Sequence, residues 1–173
     1  MRTTLQASPA SRRRPGPAAE RALAPPLPEP FAGWFAARGW TPRLHQLALI
    51  EAARERRSTL LIAPTGAGKT LAGFLPSLVS LAQRTRASRR RALHTLYISP
   101  LKALAVDVAR NLMAPIDEMQ LPISTETRTG DTSVARRARQ RRVPPDILMT
   151  TPEQLTLLLS HPDSADLFAD LDT

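Results

Sequence analysis

The sequence predicts an α/β fold with a doubly wound parallel sheet. Three observations lead there. Short apolar runs with strand character alternate with stretches of helical period along most of the chain. One such run, Leu60-Leu61-Ile62, leads into the glycine-bearing stretch Ala63-Pro64-Thr65-Gly66-Ala67-Gly68-Lys69-Thr70, with a helical pattern after it. Three later runs also end in polar loops that open helices, as the strands of such a sheet do.

The elements follow in order. Residues 1–30 hold seven of the 17 prolines and the run Arg12-Arg13-Arg14, with no apolar periodicity. They read as a disordered Arg/Pro-rich tail. They lack the apolar core of a secretory signal. A loose bacterial extension or a mis-called start codon fits them better than a transit peptide. From Phe31 the character changes: Phe31, Trp34, Phe35 and Trp40 are four of the seven aromatic residues. Core packing is the plain reading of Trp34 and Phe35. Gly39-Trp40-Thr41-Pro42 is a turn, and a helix is expected from Arg43 to Arg57, with Leu44, Leu47 and Ala48 on one stripe. Thr59–Ala63 reads as a strand. Lys69–Gln83 reads as a helix, with Leu71, Phe74, Leu75, Leu78, Val79 and Ala82 in phase and Pro76 bending it.

A basic loop, 84–91, precedes the strand His94–Ser99. The helix Leu101–Met113 follows, then the strand Ile123–Arg128 and a very basic helix, Asp131–Arg142. Asp146–Thr150 reads as a strand. Thr151 is placed to cap the next helix, with Pro152 at its first position and Gln154 closing a capping box. That helix runs to about Ser160, and a last one covers Ser164–Leu171.

Bulk properties narrow the function classes. The 173 residues suffice for one domain and not two. There is no cysteine, which excludes disulfides and thiolate metal sites. The three histidines have no metal-ligand spacing. No apolar run approaches the about 18 residues of a membrane span. The net charge is +9, carried by 22 arginines against two lysines. That excess suits a polyanion such as nucleic acid, although arginine-rich genome composition explains it equally well. Position decides more: Lys69 lies in the glycine-bearing loop and Lys102 in a second motif.

The stretch Ala63–Thr70 is a relaxed phosphate-binding loop, with Ala63 where the strict form has glycine. Gly66 and Gly68 let successive N–H groups converge on one anion. The helix beginning near Lys69 adds its positive end. Lys69 is placed to reach β- and γ-phosphates, and the Thr70 hydroxyl to coordinate Mg²⁺. The three later loops are Ser99-Pro100-Leu101-Lys102, Thr127-Arg128-Thr129-Gly130-Asp131 and Thr150-Thr151-Pro152-Glu153. Hydroxyls, helix-start N–H groups and a cation are what hold backbone phosphates. Each loop alone is an ordinary strand-to-helix cap. Three in order after a phosphate loop are harder to dismiss.

Together these stretches resemble the first motor domain of superfamily 2 DEAD/DEXH-box helicases, from Phe31 to the end. Gly39–Pro42 with Gln46 resembles the Q motif, Ala63–Thr70 motif I, Ser99–Ala105 motif Ia and Thr129–Asp131 motif Ib. Thr150–Glu153 resembles the DNA-contacting motif that follows. The wording of Phe31–Phe35 and Gly39–Gln46 is similar to the Lhr-like helicases, above all the bacterial ligase-associated branch.

The resemblance implies a RecA-like P-loop NTPase domain over residues 31–173, with ATP and Mg²⁺ as cofactors. Gln46 would read adenine, Thr65, Gly66, Ala67, Gly68, Lys69 and Thr70 would hold ATP, and Thr70 the Mg²⁺. Ser99, Pro100, Lys102, Arg128, Thr129, Gly130, Asp131, Thr150, Thr151, Pro152 and Glu153 would contact nucleic acid. It also implies 3′ to 5′ translocation on single-stranded DNA, action on partially duplex DNA with RNA left open, and a place in DNA repair. An ATP-dependent ligase and a nuclease would be partners, in a bacterial cytoplasm.

One departure matters. The family's motif II, Asp-Glu-x-His, is not present. The single Asp-Glu pair, Asp117-Glu118, is followed by Met119 and Gln120, has Pro115 just before it, and falls between motifs Ia and Ib. It reads as an exposed helix end. Motif II would follow shortly after Asp172-Thr173, so the domain reads as truncated before it and no catalytic residue is assigned. Two alternatives stay open: a stand-alone nucleotide- or DNA-binding module without catalysis, and a small P-loop kinase. The kinase leaves Ser99–Ala105 and Thr150–Glu153 unexplained.

Overall fold

A computed structural model describes residues 27–84 and 92–173. The arginine-rich part of the tail, up to residue 26, and the basic cluster within 85–91 lie outside the described residues. Ten elements follow in chain order: α1 (Phe31–Ala37), α2 (Leu44–Arg54), α3 (Lys69–Gln83), β1 (Thr95–Ile98), α4 (Lys102–Glu118), β2 (Thr125–Arg128), α5 (Val134–Arg142), β3 (Ile147–Thr150), α6 (Pro152–Leu159) and α7 (Ser164–Phe168).

The three strands form one parallel sheet in the order β1-β3-β2. Thr95 and Thr125 both sit opposite Ile147, and Ile98 and Arg128 both sit opposite Thr150. The central strand, Ile147-Leu148-Met149-Thr150, is buried at every position, as a parallel strand covered on both faces must be. Its side chains separate by alternation. Ile147 and Met149 join the larger core with Phe74, Leu75 and Leu78 of α3 and Val108 and Leu112 of α4. Leu148 joins a smaller one with Leu93, Leu158 and Leu167. Helices on both faces make the sheet doubly wound, as expected. Leu75 and Leu78 of α3 are fully buried, each worth about 1.5–3 kcal/mol over exposure.

The packed region begins before Phe31. Leu27 is buried in the larger core, and Phe31 N–H donates to the Pro28 carbonyl. Leu27, within the stretch expected as tail, thus joins the core that Phe31 and Phe35 line. Phe31 and Phe35 are buried, with Trp34 packed against them. Helix α4 runs five residues beyond the expected Met113. Pro115 removes one backbone donor, yet Pro115 and Ile116 are both buried, and that packing outweighs the lost bond.

Two local expectations fail. The Thr151 side chain makes no capping bond to α6, and Gln154 is buried with its Oε1 unpaired. Pro152 does start the helix. The expected strand Thr59–Ala63 does not form: the stretch is extended coil, with Leu60 and Ile62 both 85% exposed. A strand exists only by pairing, and among the described residues none lies beside this one. The outer edge of β1 is taken up elsewhere, since Leu96 N–H donates to the Thr173 carbonyl and Thr173 N–H to that of His94. Those two bonds are the pattern of a parallel bridge.

Candidate nucleotide and nucleic-acid site

The phosphate loop turns on two glycines in the left-handed region, Gly66 at φ 77° and Gly68 at φ 71°. Gly68 is also the N-cap residue of α3. A Cβ on Gly68 would sit 3.3 Å from Gln46 Nε2, so the glutamine lies directly behind the loop. Gln46 is 4% exposed, and its Oε1 accepts the Arg43 N–H at 2.8 Å. Its neighbour His45 places Nε2 3.0 Å from the Ala67 carbonyl. Helix α2 thus supports the loop through two consecutive side chains. Lys69 Nζ donates to the Ala63 and Pro64 carbonyls at 2.8 Å each, which folds the ammonium into the loop's own curve. Thr65, Gly66, Gly68, Lys69 and Thr70 are exposed and Ala67 is buried. A cleft of about 290 Å³ runs from Lys69 and Thr70 to Thr95, Tyr97 and Thr173.

The other three loops leave the carboxyl ends of β1, β2 and β3, and hydrogen bonds join them into one rim. Ser99 N–H donates to the Thr150 carbonyl at 2.9 Å, and Thr150 Oγ1 donates to the Arg128 carbonyl at 2.9 Å. Lys102, at the start of α4, is ion-paired with Asp131 beyond β2. The eleven residues expected on nucleic acid divide in two. Ser99, Arg128, Thr129, Thr150 and Thr151 are buried, whereas Pro100, Lys102, Gly130, Asp131, Pro152 and Glu153 are exposed. Two buried hydroxyls bond within the rim, Ser99 Oγ to the Leu101 carbonyl and Thr150 Oγ1 to the Arg128 carbonyl, and the Thr129 N–H donates to Thr132 Oγ1. The exposed set forms the outer surface of the rim.

Arg128 departs most from its expected place. Its side chain lies under α5, with NH1 donating to the Arg137 carbonyl at 3.2 Å and Nε unpaired. Burial, then the charges of Arg137 and Arg141, pulls its guanidinium below the ordinary arginine value. In this position its guanidinium holds helix α5. The Glu153 carboxyl is held below the ordinary range by its own backbone N–H and then by the Thr151 hydroxyl.

The sequence pattern of the DEAD/DEAH box helicases matches residues 43–172, from the start of α2 through α7. The chain belongs to the DEAD/DEAH box helicase family. It is 42% identical over 153 residues to the Lhr helicase/uracil glycosylase of Escherichia coli K12, covering 78% of this chain and 10% of that protein. To the ATP-dependent helicase Lhr-Core of Methanocaldococcus jannaschii it is 33% identical over 156 residues, covering 83% of this chain and 18% of that one. Among solved structures, the Mycobacterium smegmatis helicase Lhr bound to ssDNA and AMP-PNP superposes with a TM-score of 0.70 at 37% identity, over 84% of this chain and 19% of that chain. The DUF1998 helicase MrfA bound to DNA gives 0.71 at 33% identity, over 84% and 20%. The chain therefore spans between a tenth and a fifth of the length of these relatives.

Membership implies ATP binding, and the phosphate loop fits it. Two left-handed glycines leave room for the backbone to approach a phosphate, and the one lysine of the loop lies on it. Among the described residues no group of three or more histidines and carboxylates could hold a metal ion. Asp117-Glu118 is the end of α4, as expected. Trp34 Nε1 donates to Glu118 Oε2 at 2.7 Å, and Arg38 ion-pairs with it while lying 4.5 Å from the Trp34 ring centroid. These bonds, Trp34's first and then Arg38's, hold the Glu118 carboxyl below its ordinary range. The pair fastens α4 to α1. His45 and the grip of α5 on the rim escaped sequence reasoning. His45 had a signal, its place next to Gln46; the α5 contacts had none.

Proposed function

We propose that this chain is the amino-terminal part of a longer ATP-driven translocase and helicase that moves on single-stranded DNA. The observation that carries the reading is the joined rim. Loops from three parallel strands are hydrogen-bonded into one surface, and their exposed members offer polar backbone and Lys102, whose exposed pair with Asp131 a phosphate would replace. Lys102, Gly130 and the start of α6 would hold successive phosphates of one strand and leave the bases unread. On the nucleotide side, the N–H groups of the Gly66–Gly68 turn and Lys69 would bind the phosphates. Thr70 Oγ1 would hold the Mg²⁺, and Gln46 would meet the adenine edge. ATP, once bound and hydrolysed, would supply the free energy for movement.

Three finer points belong to the same reading, each supported by the family resemblance. Movement runs 3′ to 5′. Partially duplex DNA is the substrate, in DNA repair beside an ATP-dependent ligase and a nuclease. Hydrolysis needs parts outside these 173 residues, because phosphates, metal and an oriented water must be held at once and no Asp-Glu-x-His occurs here.

The test is phosphate release, with and without single-stranded DNA, from residues 1–173 and from the longer protein. The longer protein is expected to show DNA-stimulated release that Lys69→Ala abolishes. The shorter chain is expected to show none. Strong DNA-stimulated turnover by the 173-residue chain would sink the proposal.

A further inference from the structure

We propose that Arg137 on α5 is a positioning residue for strand binding, holding the Thr129–Asp131 turn from behind so that its free N–H groups meet a phosphate. The inference rests on the strand-binding reading above.

Helix α5 is mostly polar, and its one large apolar side chain, Val134, is exposed. Its one buried residue is Gln140, so apolar packing does not fix its place. Arg137 is half-buried, and its NH2 donates to the Thr129 carbonyl at 3.3 Å and the Gly130 carbonyl at 2.6 Å. One guanidinium nitrogen thus grips two successive carbonyls. Arg128, buried beneath, donates to the Arg137 backbone carbonyl and fixes the helix turn that carries the grip. On the far side of the turn Lys102 pairs with Asp131. Thr129 N–H is spent on Thr132 Oγ1, but among the described residues the Gly130 and Asp131 N–H groups have no acceptor. With both carbonyls pulled inward, two adjacent N–H groups are left at an exposed turn, an arrangement suited to one phosphate oxygen.

The charges agree. Arg128, Arg137 and Arg141 crowd one another, each with a buried Nε that has no hydrogen-bond partner. The nearest carboxylate on β2, Glu126, is taken by Arg136, Arg139 and Gln140. Asp163 pairs with His161 and, at 3.6 Å, with Arg141, and among the described residues it pairs with neither Arg128 nor Arg137. The region behind the turn is therefore left net positive, which favours an anion in front of it.

The test uses the full-length protein, a labelled oligothymidylate and a salt series. Arg137→Gln is expected to weaken binding about tenfold, the loss of one charge-assisted grip, with the slope of log affinity against log salt unchanged. Amide hydrogen exchange is expected to quicken at residues 129–132 and not along the rest of α5. A slope smaller by about 0.7 would mean that Arg137 itself neutralises a phosphate, and would overturn the proposal. So would unchanged affinity, or faster exchange throughout α5. Lys102→Ala tests the strand-binding reading separately and is expected to flatten the slope by about 0.7. If the unaltered protein does not bind the oligonucleotide, that reading fails and Arg137's role in it falls too. Binding that survives Arg137→Gln fails the inference alone.

Discussion

Gly68 and Lys69 are neighbours with separable roles. Gly68 holds φ 71° at the start of α3, with Gln46 Nε2 in the way of any Cβ. A non-glycine residue in that region costs about 1–2 kcal/mol. Lys69 is exposed and bonds only to the two carbonyls of its own loop. Gly68→Ala is therefore expected to lower stability by about 1–2 kcal/mol and to weaken nucleotide binding with it. Lys69→Ala is expected to leave the melting temperature nearly unchanged while losing about tenfold or more in affinity for a non-hydrolysable ATP analogue. Calorimetric melting and equilibrium binding on both variants separate the two roles. Equal loss of stability in both would refute the division. At this scale the sequence was largely legible, because glycine and lysine at fixed spacing carry their own chemistry. Arg128 was not. An arginine after a strand looks the same whether it faces solvent or lies beneath a helix, and only the placement of α5 decides.

Helix α5 shows what limits sequence reading of an element. Its boundaries were foreseen within three residues at the start and none at the end, since Ser133 caps it by accepting the Arg136 N–H. Its orientation was not, because it has no apolar stripe to mark an inner face. Polar bonds orient it instead. Glu126 on β2 accepts from Arg136, Arg139 and Gln140, and Gln140 Nε2 also donates to the Thr127 carbonyl. Burial alone would raise the Glu126 carboxyl, but the bonds from Gln140 and Arg136 and the charges of Arg139 and Arg136 outweigh it and hold the group below its ordinary value. A carboxyl lowered on folding stabilises the folded state above its unfolded value, near about 4.3. That contribution is lost as pH falls through the lowered value. Glu126→Gln is expected to cost about 1–3 kcal/mol at neutral pH, and the gap should close in acid. Urea unfolding of both proteins across the acid range measures it. A gap that stays constant down to the lowest pH would show that the charge of Glu126 does not hold α5.

At the scale of the whole molecule, the alternation of strand and helix was legible from Thr95 onward, because each apolar run there found a neighbour. The stretch Thr59–Ala63 has strand composition and no strand. Composition states a preference, whereas pairing requires a partner. Two clefts flank the region, about 490 Å³ and 290 Å³, and Thr173 lines both. Thr173 bonds along the outer edge of β1, and Leu60 and Ile62 stand in solvent. Under the reading of a longer helicase, further strands would fill this space and bury both side chains. That gives a prediction of opposite sign in two proteins. In residues 1–173, Leu60→Lys with Ile62→Lys removes exposed apolar surface, and is expected to raise solubility and lower aggregation. In the longer protein the same pair would put two charges in a core, and is expected to cost at least about 3 kcal/mol from lost burial alone. Light scattering of the short chain and denaturant unfolding of the long one read the two outcomes. If the longer protein tolerates both lysines, the stretch is not a core strand there either, and its exposure belongs to the fold itself.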